Sequence, residues 1–181
     1  CEGMGLNAFR LGLEWARIQP SPSTHSCAPP PFDYTALDAY ADRLAACRLH
    51  GLEPIVTLHH FTHPAWLGLD AWLFEATVQQ FVTYVRTTIA YLNQRLTDHY
   101  QLPPIRWYIT INEPNMLVTS TYLSGQFPAG TAGRGIDAVL RAYNHMLTAH
   151  VRAYNTIHDF YAAAGWHNPY VSLNTFCSDL Y

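Results

Sequence analysis

The stretch WYITINEPN, residues 107–115, is apolar and β-branched until it stops on Asn112, Glu113 and Pro114. A carboxylate at the exit of a strand can face a cleft, where its neighbours can raise its pKa enough for general-acid work. Asn112 beside it offers both a donor and an acceptor, which suits a substrate hydroxyl. Pro114 has no N–H and keeps the strand from continuing. A surface acid followed by a turn proline would look the same, so the neighbourhood must decide.

Three further features bear on it. In TLHHFTHP, residues 57–64, adjacent strand residues point to opposite faces, so only one of His59 and His60 can face inward. The inward one could donate to a substrate hydroxyl or be a satisfied core histidine. A metal site built from His60, His63 and a distant partner is the alternative, but it lacks an HxH pair or a helical HExxH. Arg10 interrupts the apolar run LNAFRLGL, and a buried guanidinium is costly without a partner. It is expected to face a polar interior and orient an acid. Phe61, Trp66, Trp72 and Trp107 could stack on sugar rings. Trp107 is mid-strand and expected in the core, whereas packing and stacking are equally open to Trp66 and Trp72.

The elements that would position these residues alternate. Strands are expected at residues 6–13, 53–60, 105–112 and 169–176. Asp33 can N-cap a helix over residues 34 to about 50, with Leu37, Tyr40, Ala41, Leu44 and Ala45 on its apolar face and Gly51 as its stop. A second helix over about 74–96 aligns Phe74, Val78, Phe81, Val82, Val85, Ile89, Leu92 and Leu96. A short helix near 115–122 and a Gly-rich loop at 125–135 precede a long helix over about 136–164. That helix is expected to bury Val139, Leu140, Tyr143, Leu147, Val151, Tyr154 and Ile157. A Pro- and Ser-rich loop, QPSPSTHSCAPPP, follows the first strand.

The pattern is α/β, with strands apolar on both faces as in a parallel sheet covered by helices. A doubly wound sheet and part of an eight-stranded (β/α)8 TIM barrel both fit. No GxGxxG or GxxxxGKS follows a strand, so a nucleotide site has no support. His59, His60, Asn112, Glu113 and Asn174 gather at the C-terminal strand ends, where barrel enzymes place their chemistry. Four strands make half a barrel, and a whole one needs about 250 residues. Residues 1–181 are therefore expected to form a single partial barrel domain, truncated at both ends, from a longer protein.

Composition narrows the class further. The chain is 49% hydrophobic and 13% charged with a net charge of -3, which suits a buried core and offers no basic patch for nucleic acid. No apolar run is long enough to span a membrane. Cys1, Cys27, Cys47 and Cys177 form no CxxC pair and are expected as free thiols of a reducing, cytoplasmic compartment.

Taken in order, these motifs resemble glycoside hydrolase family 1, the β-glucosidase-like retaining enzymes on a (β/α)8 barrel. GLNAFRLGLEWARIQP is similar to the family's second strand and its Trp-x-Arg-Ile continuation. GLEPIVTLHHFTHPAWL resembles the third strand with its loop, and WYITINEPN the fourth with its acid/base Glu. YLSGQFPAG, AYNHMLTAHVRAY and SLNTF resemble the following loop, the next helix and the Asn-bearing fifth strand. The resemblance implies that Glu113 is the general acid/base, that Asn112 and His60 bind sugar hydroxyls, that Phe61 adjoins the sugar, that Arg10 contacts the nucleophile, and that Asn174 supports the site. It implies a β-glycoside or oligosaccharide as substrate, with no cofactor and no metal.

The departures are specific. Phe61 stands where the family commonly has Trp, Thr62 where it has an acid, and Glu14 where a small residue such as Ser is usual. The first strand with its sugar-binding Gln has no counterpart here, nor does the seventh-strand Thr-Glu-Asn-Gly that supplies the nucleophile. Glu14, with the strand parity of Arg10, and Asp179 are the internal acids that could replace it. A nucleophile outside the 181 residues is the simpler expectation, and these residues alone are expected to be inactive. A non-catalytic sugar-binding barrel and a metal-dependent barrel hydrolase are the competing readings.

Overall fold

A computed structural model describes residues 2–20 and 29–177. Cys1, Cys27, Asp179 and most of the Pro- and Ser-rich loop lie outside the described residues.

Four strands form one parallel sheet: β1 (Ala8–Gly12), β2 (Glu53–His59), β3 (Trp107–Asn112) and β4 (Tyr170–Asn174). Their spatial order is their chain order, 1-2-3-4. A doubly wound sheet reverses direction at a switch point, whereas consecutive barrel strands do not. The sheet is therefore a run of three βα units and a fourth strand of a partial (β/α)8 barrel.

The helices are α1 (Trp15–Ile18), α2 (Tyr34–Leu49), α3 (Glu75–Gln94), α4 (Pro114–Val118) and α5 (Ile136–Ala163). Asp33 caps α2, its Oδ1 accepting the Thr35 and Ala36 amides at 2.9 and 3.0 Å. Gly51 just past its end takes φ 69°, the left-handed geometry expected of a helix stop. The expected face of α2 is the buried one.

Helix α3 starts at Glu75, later than expected. Phe74 has extended backbone and is 53% exposed, so it leaves the apolar stripe, while Val78, Phe81, Val82, Val85, Ile89 and Leu92 are buried. Leu96 is also buried, in a π-helical turn (Arg95–His99) that follows α3.

On α5 the expectation fails more broadly. Leu140 and Val151 are each 55% exposed, and Tyr154 is exposed too. The buried face is Ala138, Ala142, Met146, Ala149, Ala153, Ile157 and Tyr161. Small side chains let α5 lie close to α3, so alanines occupy the seam that larger residues were expected to fill.

At the N-terminal strand ends a buried amide joins three elements. Asn93 of α3 accepts the Ile105 amide at 2.8 Å and donates to the Tyr108 hydroxyl at 2.9 Å. Tyr161 of α5 bonds Tyr108 at 3.0 Å and also donates to the Ile105 carbonyl. Each buried polar group there has a partner, as low-dielectric surroundings require.

The strands are not covered on both faces. Val56, Leu58 and Tyr108 are buried in the core shared with α2, α3 and α5. The other face carries Arg10, Ile55, Trp107 and Ile109, none fully buried. Trp107, expected in the core, is half-buried and stacks on Tyr170 at 4.2 Å. Among the described residues, no helix is long and apolar enough to cross a membrane.

Candidate active site

The open face of the sheet carries a polar cluster at the C-terminal strand ends. Arg10 of β1 spans it. Its Nε donates to Thr57 Oγ1 at 2.8 Å, and its Nη2 donates to Asn112 Oδ1 at 2.6 Å and to Asn174 Oδ1 at 3.4 Å. One guanidinium thus links all four strands. Its planar fork can meet several acceptors at once, which a lysine ammonium on one point cannot do as well. Arg10 is exposed on this open face, on a strand at the edge of the described sheet. Among the described residues its partners are a hydroxyl and two amides, with no carboxylate at ion-pair distance.

The bond from Arg10 also orients Asn112. Arginine only donates, so the Asn112 carbonyl oxygen must face it. The Asn112 amide NH₂ is left as the donor for another group. Asn112 itself is 2% exposed.

A local irregularity brings Asn112 to this face. Ile109 pairs with Ser172 and Asn112 with Asn174, so three steps on β3 match two on β4. This extra residue breaks strict alternation. Thr110 accordingly reaches the helix side, where its hydroxyl bonds His150 Nδ1 at 2.7 Å, while Asn112, two residues on, points to Arg10.

Glu113 follows at once. Its φ of 43° and ψ of 58° are left-handed, a region costly for a residue with a Cβ. Two backbone bonds hold it there. The Glu113 N–H donates to the Asn174 carbonyl at 2.9 Å, and the Glu113 carbonyl accepts the Leu117 amide at 3.0 Å. Pro114 opens α4 as its first residue, where a missing N–H costs nothing. The carboxylate makes no cap bond to α4, so it is free of structural duty there.

β2 ends in the same way. His59 is 1% exposed and packs edge-on against Trp72 and Phe81, at 5.3 and 6.1 Å. Among the described residues, neither of its ring nitrogens has a hydrogen-bond partner. It is a core histidine, held by its aromatic neighbours rather than by hydrogen bonds. Burial, and secondarily the nearby His63 and His60, push its pKa down to about 3. His60 is exposed on the open side, where Gly12 of β1 lies beside it. Phe61 then takes φ 71°, so the left-handed turn after β2 mirrors that after β3. The His60 and Phe61 rings meet edge-on at 5.1 Å.

The remaining candidates separate. His63 donates from Nε2 to the Gly68 carbonyl at 2.9 Å, which fastens its own loop. Trp66 donates to the Gln19 carbonyl at 3.1 Å and sits edge-on to Trp15. Trp72 is 2% exposed. Both tryptophans pack. Glu14 is engaged: its Oε1 caps α1 through the Ala16 amide at 3.2 Å, and its Oε2 accepts from Thr62 at 2.7 Å.

Two residues were not singled out from the sequence. Thr57 is the third partner of Arg10, hidden among the apolar residues of its strand. Asn115 clamps the segment after β4, with Nδ2 donating to the Phe176 carbonyl at 2.6 Å and Oδ1 accepting its amide at 3.2 Å. An amide two residues beyond Glu113, just inside a Pro-initiated helix, was the available signal.

A cavity of about 350 Å³ adjoins α4, lined by Phe61, Trp72, Leu117, Tyr122, Phe127 and neighbours. A larger cavity, about 600 Å³, lies at the opposite strand ends around Arg48, Arg106 and Trp166 and includes none of the candidate site residues.

Residues 1–173 match the model of glycosyl hydrolase family 1. The 6-phospho-beta-galactosidase of Lacticaseibacillus rhamnosus is 33% identical over 85% of this chain and 29% of its own length. The cytosolic beta-glucosidase of Cavia porcellus is 30% identical over 96% of this chain and 34% of its own. Among solved structures, the beta-glycosidase from Pyrococcus horikoshii superposes with a TM-score of 0.71 at 26% identity, over 87% of this chain and 33% of that one. The Thermotoga maritima beta-glucosidase in complex with deoxynojirimycin shares the fold, with a TM-score of 0.73 at 23% identity over 94% of this chain and 34% of that one. The chain thus spans about a third of the length of these relatives, or less. With its sheet order, its strand-end cluster and a family match across nearly all its residues, the chain belongs to glycosyl hydrolase family 1.

Proposed function

We propose that the protein carrying this chain hydrolyses β-linked glycosides with retention of configuration, and that Glu113 is its general acid/base. A second carboxylate, outside these 181 residues, attacks the anomeric carbon. The bond from that carbon to the leaving oxygen breaks as the Glu113 proton passes to the oxygen. Glu113, now a carboxylate, then takes a proton from water while the water oxygen attacks the anomeric carbon and displaces the enzyme carboxylate. Asn112 donates from its free NH₂ to a hydroxyl of the same sugar, and His60 binds another. Phe61 offers the sugar an aromatic face. Arg10 and Asn174 hold the cluster, and the Nη1 donors of Arg10 remain for the attacking carboxylate. The 181 residues, a single partial barrel, turn over no substrate alone. A cytoplasmic location accords with the free thiols of Cys47 and Cys177 and with a cytosolic relative.

The observation that carries this reading is the pairing of a left-handed Glu113 with an Asn112 oriented by Arg10. Backbone strain of this kind persists where the surrounding structure enforces it, and it concentrates at functional sites. The test is Glu113→Gln in the protein as its gene encodes it. Turnover of an alkyl β-glycoside should fall by roughly 10²–10⁴-fold, the usual worth of a positioned proton donor. Unchanged turnover would remove Glu113 from this role. A wild-type protein that binds the glycoside without cleaving it would favour a sugar-binding barrel.

A further inference from the structure

We propose that Asp70 is a positioning residue, whose carboxylate latches the loop after α4 onto the loop after β2 and so fixes Phe127 against Phe61 as the leaving-group wall beside Glu113. The inference rests on the glycosidase reading only for the words "leaving group"; the latch itself is geometric.

The carboxylate of Asp70 belongs to a residue only 8% exposed. It receives two backbone donors from the far loop, the Gly130 amide on Oδ1 at 2.9 Å and the Ala132 amide on Oδ2 at 2.7 Å. A carboxylate accepting backbone N–H groups away from water makes strong, directional bonds. The fit leaves no slack: a Cβ on Gly130 would lie 2.3 Å from Asp70 Oδ2. Among the described residues, the far loop's other backbone hydrogen bonds run to the turn just before it, Phe127 N to the Ser120 carbonyl at 3.0 Å and Gly135 N to the Tyr122 carbonyl at 2.8 Å. Asp70 therefore supplies the cross-tie from the loop of another strand. Its charge is also felt by Tyr122, whose phenol is pushed up by burial and then by Asp70.

The loop held in this way carries Phe127, whose ring lies 5.6 Å from that of Phe61. Both rings line the 350 Å³ cavity with Leu117 and Val118 of α4, the helix that begins directly after Glu113. A general acid at Glu113 protonates the leaving oxygen, so the group attached to that oxygen lies on the Glu113 side. An apolar cavity walled by two phenylalanines suits an aromatic or alkyl leaving group.

Two substrates separate this role from a general loss of structure. A 4-nitrophenyl β-glycoside presents an aromatic leaving group to the wall, whereas the β-glycosyl fluoride of the same sugar presents one atom. In the protein as its gene encodes it, Asp70→Ala should lower kcat/KM for the aryl substrate about tenfold, the scale on which an apolar pocket discriminates. The fluoride should change by less than about threefold by the same reasoning. Gly130→Ala, which evicts the carboxylate from the other side, should reproduce this split, and Asp70→Asn should recover part of the loss. Equal losses on both substrates, or none on either, would overturn the wall.

Amide exchange reads the latch without turnover. The Gly130 and Ala132 amides should exchange faster in Asp70→Ala while those of β3 and α5 keep their protection. Loss of protection throughout, or no change at Gly130 and Ala132, would overturn the latch. A wild-type protein that cleaves neither substrate would count against the glycosidase reading, and with it the leaving-group wall; exchange would then decide the latch alone.

Discussion

Thr62 donates its hydroxyl to Glu14 Oε2 at 2.7 Å, across the segments that follow β1 and β2. The family pattern resembled by this chain has a small residue such as Ser at the first position and an acid at the second. Acid and hydroxyl have exchanged sides, and the two departures form one contact. Glu14 also caps α1, so its two oxygens have structural duties. Glu14→Ala should cost about 1 kcal/mol in denaturant unfolding, the usual value of an N-cap. It should leave glycoside turnover within a few-fold of wild type; loss of turnover by orders of magnitude would restore Glu14 as a nucleophile. The exchange back, Glu14→Ser with Thr62→Asp, should lose less stability than the two single changes summed, because the residues touch.

Glu113 pays for its position in backbone strain. A left-handed residue with a Cβ costs about 1–2 kcal/mol, and glycine escapes that cost while losing some unfolded-state advantage. Glu113→Gly should therefore leave the protein as stable as wild type or up to about 1 kcal/mol more stable, while abolishing turnover. Thermal unfolding and activity on one preparation would read both. A clear loss of stability would mean that the Glu113 side chain supports the fold rather than the chemistry.

Much of this was legible in the sequence because local signals and tertiary needs agreed. Asp33 before a periodic run, Gly51 after it, and β-branched runs ending in polar residues each carry a physical reason that survives in the fold. The ends of β2 and β3 were less legible. Alternation from Thr57, which faces Arg10, would put His59 on the open face and His60 in the core, the reverse of what is found, and the added residue in β3 that turns Asn112 toward Arg10 has no sequence signal of its own either. The network of Arg10 was half visible: a guanidinium in an apolar strand needs partners, yet the sequence cannot say that they are Thr57, Asn112 and Asn174. Helix α5 misled because size was taken for burial.

The α5 seam gives a direct check. Ala142 and Ala149 are fully buried, whereas Leu140 on the same helix is 55% exposed. Ala142 is wholly buried in the core, so a larger side chain there must displace its neighbours. Ala142→Leu should destabilise by about 1–3 kcal/mol, the usual cost of overpacking. A neutral result in equilibrium unfolding would mean that the core around Ala142 has room to spare.

His59 should make stability depend on acid. Its imidazole lies between Trp72 and Phe81 with no hydrogen-bond partner among the described residues, and burial lowers its pKa from 6.5 to about 3. Between those values the unfolded chain binds a proton that the folded chain does not. The contribution of His59 is thus complete above about pH 6.5 and declines as the pH falls toward 3. One such group changes stability by about 1.4 kcal/mol per pH unit in that window. His63 and His150, also lowered chiefly by burial, add to the same slope. His59→Phe keeps an aromatic ring against Trp72 and has nothing to protonate. Urea unfolding at pH 7 and pH 5 should show a smaller acid loss in the variant, by about 2 kcal/mol, whatever its stability at pH 7. An equal acid loss in both proteins would mean that His59 already takes up its proton in the folded state, which its dry setting between two aromatic rings argues against.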